Sequence, residues 1–204
     1  MYIYTNFTAR LPVVDGWSIL PDGTHIKAGK GVLKGHNVTL GDYIIIEDDA
    51  RLCSCSTVQN KAHIGCGALI GRYSTIGPCA IVGDNVCIHD HVKIEPRANI
   101  QHTPIYIHGS RCGISYVGNR CVQIGSSVYP IDWWTTHWQA EMAKQRFTSQ
   151  QSQEYQNHLN SILKWMNIYD QPSTYPSTIT DGINAFRQRN HTAQSFEPAT
   201  KCQF

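Results

Sequence analysis

Three histidines, each ending a column of residues spaced by eighteen, are the groups in this sequence best placed to move protons. One column reads Asp48, Cys66, Asp84 and His102. A second reads Asn37, Cys55, Tyr73 and His91, and a third Gly35, Cys53, Gly71 and His89. Imidazole titrates nearest neutrality of all side chains, which suits it to general-base work. A carboxylate one rung away can orient such a ring, as Asp84 is placed to do for His102. His102 also stands beside Pro104, where the spacing pattern breaks, and His108 stands just beyond the break. His102 and Asp84 are therefore the candidate catalytic pair, and His108, Cys66, His91 and Arg111 the candidate ligand-binding residues. The competing reading of any one column is a row of ordinary solvated corner residues.

A six-residue repeat is what gives the number eighteen its meaning. From Val38 the chain reads VTLGDY, IIIEDD, ARLCSC, STVQNK, AHIGCG, ALIGRY, STIGPC, AIVGDN, VCIHDH, VKIEPR and ANIQHT. Every third position is aliphatic, from Leu40 and Ile46 through Ile94 and Ile100. Every first position is small or β-branched, as at Ala50, Ser56, Ala62, Ser74 and Ala98. A helix cannot keep a strict period of six, and a strand of this length does not fit a compact domain. A triangular coil of three short strands satisfies both positions. The aliphatics point into the prism, the small residues fit at its corners, and successive coils stack about 4.8 Å apart.

The pattern resembles that of the hexapeptide-repeat family: aliphatic, then Gly, Ala, Glu or Asp, two variable residues, a small residue and a variable one. The resemblance implies a mainly β chain whose left-handed parallel β-helix occupies residues 32–131, with a register break near 103–113. It also implies a homotrimer with ligand clefts between subunits. The commonest activity of such chains is acyl transfer from coenzyme A or an acyl carrier. There a histidine on the outer face of the prism acts as general base on an acceptor hydroxyl or amine. His102 is the counterpart here, and acyl-coenzyme A the implied cofactor. The Gly-x-Pro-Ala-Lys type segment of the sugar and xenobiotic acetyltransferases does not follow the last coil.

A second branch, the γ-class carbonic anhydrases, is similar around Asn99-Ile100-Gln101 with Ile107-His108, and again over Gly118–Gly125. Where that branch has a His-x-x-x-x-His pair, this chain has Ser126, Ser127, Val128, Tyr129 and Pro130. Catalytic zinc needs three protein ligands, so no metal site is expected from this chain alone. His102 and His108 would need a side chain from a neighbouring subunit. The alternative to acyl transfer is a non-catalytic homotrimer whose inter-subunit clefts bind a small ligand, phosphorylated or nucleotide-like, or a protein.

Flanking segments must cover the ends of such a prism. Residues 1–31, with turn signals at Pro21-Asp22-Gly23 and Ala28-Gly29-Lys30-Gly31, form the expected N-terminal cap. Beyond Thr103 the repeat is expected to resume approximately through Ile107, Ile114 and Ile124. Residues 132–169 read as a helical hairpin, with Asp132 capping the first helix and Thr148 the second. Gln151 completes a capping box, and Tyr155, Leu159, Ile162, Leu163 and Met166 share one face. Trp133, Trp134 and Trp138 are expected to anchor the hairpin by packing. Residues 170–204 are polar and carry Pro172, Pro176 and Pro198, which suggests an extended tail packed on a neighbouring subunit.

Bulk properties narrow the field further. The 204 residues carry 17 basic and 15 acidic side chains, a net charge of +2, without Lys/Arg clusters, which argues against nucleic acid as the main partner. No apolar run approaches the roughly 18 residues that span a bilayer. The opening Met1-Tyr2-Ile3-Tyr4-Thr5-Asn6 lacks the pattern of an export signal. A cytoplasmic setting with eight reduced cysteines is the resulting expectation.

Overall fold

The computed structural model describes residues 13–170. The expected tail beyond Asp170 and the first residues of the expected N-terminal cap lie outside the described residues.

The six-residue repeat folds as a three-walled parallel solenoid. One wall stacks β3 (His25–Ala28), β6 (Ile44–Ile46), β9 (His63–Ile64), β12 (Ile81–Val82) and β15 (Asn99–Ile100). The second stacks β4 (Leu33–Lys34), β7 (Arg51–Leu52), β10 (Leu69–Ile70) and β13 (Cys87–Ile88). The third stacks β5 (Thr39–Leu40), β8 (Thr57–Val58), β11 (Thr75–Ile76) and β14 (Lys93–Ile94). Each strand pairs in parallel with residues eighteen further on, for example Leu52 with Ile70 and Ile70 with Ile88. The inward aliphatics Leu52, Val58, Ile64, Ile70, Ile76 and Val82 are all fully buried, as are Ala50, Ala68 and Ala80 at the corners. At its lower end a hairpin of β1 (Val13–Val14) and β2 (Trp17–Ile19) extends the first wall antiparallel to β3.

The corners hold a feature with no simple sequence signature. One residue in every six adopts a left-handed backbone, among them Asn37, Tyr43, Asp49, Cys55 and Lys61, with φ from 53° to 62°. An L-residue with a Cβ pays about 1–2 kcal/mol for that conformation. The compensation is a hydrogen bond between coils. The Lys61 amide donates to the Asp42 carbonyl at 2.8 Å, and the His91 amide to the Arg72 carbonyl at 2.8 Å. Short polar side chains add a second rung. Asp48, Asp84 and Asp90 accept through Oδ1 from the amides of Lys30, Cys66 and Arg72, at 2.7, 2.7 and 2.6 Å.

The solenoid closes differently from the expectation that its repeat resumes. Ile107, Ile114 and Ile124 do not start new coils. They lie in an antiparallel meander of β16 (Tyr106–His108), β17 (Gly113–Gly118), β18 (Cys121–Ile124) and β19 (Ser127–Pro130). An open strand edge needs partners for its amides. The meander supplies them: Lys93 N–H donates to Gln123 Oε1 at 2.8 Å and Glu95 N–H to the Val117 carbonyl at 2.9 Å. Thr103 Oγ1 accepts from the Cys87 amide at 3.0 Å. Gly118, at φ +95°, turns the chain directly over Ala98, where a Cβ would collide.

Two helices back the meander, α1 (Ile131–Lys144) and α2 (Ser149–Tyr169). The N-cap of α1 is Pro130, and Asp132 lies inside the first turn, so Asp132 does not cap the helix as expected. An acidic side chain there still favours the positive end of the helix dipole. The capping box of α2 is present as read: Thr148 Oγ1 accepts from Gln151 N–H, and Gln151 Oε1 accepts from Thr148 N–H. Tyr155, Leu159, Ile162 and Met166 form its buried face, with Leu163 packed beside them. Trp134 is fully buried and its indole N–H donates to the Val122 carbonyl at 2.8 Å, while Trp133 and Trp138 are partly buried against the core. Among the described residues no helix is long and apolar enough to cross a membrane.

Candidate functional site

The corner that joins β13 to β14 carries His89-Asp90-His91, and β16 returns from the register break to lie against it. The His89 ring stacks on Tyr106 with centroids 4.7 Å apart and planes inclined by 21°. One coil apart, the His91 ring stacks on Tyr73 at 5.0 Å and 8°. Tyr106 and His108 stand on the same strand with centroids 6.5 Å apart. The backbone beneath His91 is fixed from the meander, because Gln123 Nε2 donates to its carbonyl at 2.9 Å.

Two adjoining cavities open here, of about 440 and 460 Å³, and Asp90, His91, Tyr106 and His108 line both. The first continues along Lys93, Ser115 and Ser126, the second along Leu69, Ile88 and Cys87. No hydrogen bond ties up a ring nitrogen of His89, His91 or His108 among the described residues, so these nitrogens are open to a ligand. Burial pushes the Tyr106 hydroxyl above its ordinary range, helped by the nearby charge of Asp90. It therefore stays protonated near neutrality and can donate. Burial raises the Cys87 thiol as well, with Cys53 and Asp90 adding to it. That thiol is a weak nucleophile at neutral pH.

The candidate residues fall into separate places. His91 and His108 meet in these cavities. His102 and Asp84 line neither. His102 lies against Tyr169 at the end of α2, with centroids 5.0 Å apart, beside a crevice of about 10 Å³. That is room for about one water. Asp84 serves the inter-coil ladder, accepting from the Cys66 amide one coil below, and makes no hydrogen bond to His102 among the described residues. The half-buried Cys66 thiol is raised by burial and then by the charge of Asp84, so it stays protonated. Arg111 pins the helices: its Nη1 donates to the Arg146 carbonyl at 2.8 Å and its guanidinium lies 4.5 Å from the Phe147 ring centre.

Sequence reasoning left out Asp90 and Tyr106, and noted His89 only as the end of a column. A readable signal existed for the first and third, since two imidazoles flank a carboxylate within one corner at His89-Asp90-His91. Tyr106 had none, because its place depends on antiparallel pairing after the break. Among the described residues no group of three His, Cys, Asp or Glu side chains converges as a metal site.

A family model described as bacterial transferase hexapeptide (six repeats) matches residues 61–96. No curated protein matches the chain. The matched segment runs through the middle coils and ends just past β14, so it includes the His89-Asp90-His91 corner and Lys93. Six-residue register, parallel three-walled solenoid and family match together fit the hexapeptide-repeat family.

Proposed function

We propose that this chain is an acyltransferase of the hexapeptide type, passing an acyl group from coenzyme A to a small hydroxyl or amine acceptor. One observation carries the reading: imidazoles from two different parts of the fold, His91 from a solenoid corner and His108 from the meander, line the same pair of cavities. His91 is the base. Its backbone is held by Gln123 and its ring by Tyr73, so its orientation is set before a ligand arrives. As the acceptor oxygen or nitrogen attacks the thioester carbonyl, His91 takes the acceptor proton. The tetrahedral intermediate then expels the coenzyme A thiolate, and the proton held on His91 passes to that sulfur. His108 and the protonated Tyr106 are available as donors to the oxyanion formed in between. We further propose the homotrimer usual for this repeat, with a neighbouring subunit closing the open side of the groove.

The test has two readouts. In a thermal-shift screen, acyl-coenzyme A at 100 times its dissociation constant should stabilise the protein by about 2.7 kcal/mol. His91→Ala should then lower kcat by about 10²–10⁴-fold while keeping most of that shift. Loss of the shift instead makes His91 a binding residue. A parallel His102→Ala variant decides between the two histidines: full loss there, with His91→Ala active, moves the base to the α2 end of the solenoid. Binding without turnover of any hydroxyl or amine acceptor leaves a ligand-binding module. No shift with any acyl-coenzyme A overturns the proposal.

A further inference from the structure

The three walls of the solenoid present unlike outer faces. Successive residues of a strand point to opposite sides, so stacking sets the outward ones in columns. On the second wall the column is Arg51, Leu69 and Cys87, and on the third Thr57, Thr75 and Lys93. Each of these six is exposed or half-buried. On the first wall the column reads Ile45, His63, Ile81 and Asn99. There His63 is only 1% exposed and Ile81 only 5%. The prism side of these two strands is taken by Ile64 and Val82, and Ile81 is no member of the core. An outer face open to water leaves its side chains partly wet, as Thr57 and Thr75 are. His63 and Ile81 therefore lie under a cover. The two helices pack elsewhere, α1 on β18 and β19 and α2 on β17. The burial belongs to a single chain, so no second copy provides it.

We infer that the outer face of the first wall is a docking strip for this chain's own C-terminal segment, residues 171–204, laid in cis over Ile81 and His63. Where the described chain ends favours that segment over residues 1–12. Tyr169 lies against His102, and Asp170 lines the same crevice as Asn99, at the top of this wall. The segment thus starts beside β15, one strand from Ile81 and two from His63. Residues 1–12 precede β1, which is four strands from His63 and five from Ile81. The strip from Asn99 to Ile45 is about 14 Å long, which about five extended residues span. Tyr175, Ile179, Ile183 and Phe186 supply apolar side chains for Ile45 and Ile81. Arg187 and Arg189 carry the charge opposite to that of Glu47, whose Oε1 lies 2.9 Å from His63 Nε2 at the edge of the strip. Left bare, such an apolar strip would be an association surface. Once it is covered, subunits of the proposed homotrimer must meet through another face. The docking holds whether or not the chain transfers acyl groups.

Two measurements on the full chain test this. A benzophenone amino acid placed at position 81, and separately at the half-buried position 45, should cross-link on irradiation to residues 171–204. The product should run as a single chain on a denaturing gel, and the same probe at position 75 on the third wall should not reach that segment. Cross-links to residues 1–12 overturn the assignment, and so does a two-chain product, which would put the segment on a neighbouring subunit. Cross-links from position 75 to the same residues, or none from 81 and 45, overturn it as well. The second readout needs no bulky probe. Ile81→Cys should react with a maleimide several-fold more slowly than Thr75→Cys, read by peptide mapping at equal melting temperatures. Equal rates would show that the first wall carries no cover.

Discussion

Between Leu33 and Val82 every strand is covered by the strand eighteen residues on, whose inward residue in the coils is again aliphatic. At the top of the stack the covering is done once, by unlike groups: Gln123 on the Lys93 amide, Val117 on Glu95, Thr103 on Cys87. The coils are redundant and the closure is singular. A defect in one coil is shared with neighbours of the same backbone pattern, whereas each closing contact is made once. The cavities form at the seam between these two regions, since only there does a strand of different direction lie across a corner. The two regions therefore divide the work, one supplying rigidity and the other shape.

The largest expected effect tests the singular half. Trp134 is fully buried, and its N–H holds the Val122 carbonyl at the centre of the meander. Trp134→Ala should cost about 3–5 kcal/mol in urea unfolding. A loss under about 1 kcal/mol would show that α1 merely rests on the sheet.

This division also explains what could be read in advance. Each inward residue of the coils repeats its neighbour's environment, so Leu52, Ile70 and Ile88 declare their register without reference to anything distant. The same count brought Tyr73 and His91 to adjacent coils, where their rings do stack. The meander offers no such period. Ile107 and Ile114 were read as a resumed repeat, yet they face each other across antiparallel strands. That pairing, which no period announces, is what brings His108 to the cavities that His91 lines, apart from His102. The backbone role of Asp84 is illegible in the sequence for a related reason. Its carboxylate makes the same inter-coil bond as Asp48 in its own column and Asp90 at another corner, a backbone role that a column of residue types cannot reveal.

Gln123 gives the next largest effect. It is buried, and its amide serves the Lys93 N–H and the carbonyls of His91 and Gly125 together. Gln123→Ala orphans three backbone groups, so a loss of about 2–3 kcal/mol is expected. Hydrogen exchange at Lys93 should quicken while that of Thr57, deep in the coils, stays slow. Equal quickening at both would mean that the closure and the coils unfold as one unit and would break the comparison. Thr148→Ala should cost only about 1 kcal/mol, by removing one side of the α2 capping box.

The smallest effect belongs to the redundant half and has the opposite sign. Lys61 occupies a left-handed corner at φ 60°, and its outward side chain is exposed. Lys61→Gly relieves about 1–2 kcal/mol of backbone strain. Against this, the unfolded chain gains freedom worth about 0.4–1 kcal/mol. The balance is a stabilisation of about 0.8 kcal/mol, read as a higher urea midpoint with an unchanged slope. Gly67, the next corner along, already uses this solution at φ 64°. A destabilised Lys61→Gly protein would mean that the long side chain covers the adjoining coil, and that the corners differ from one another despite the shared backbone.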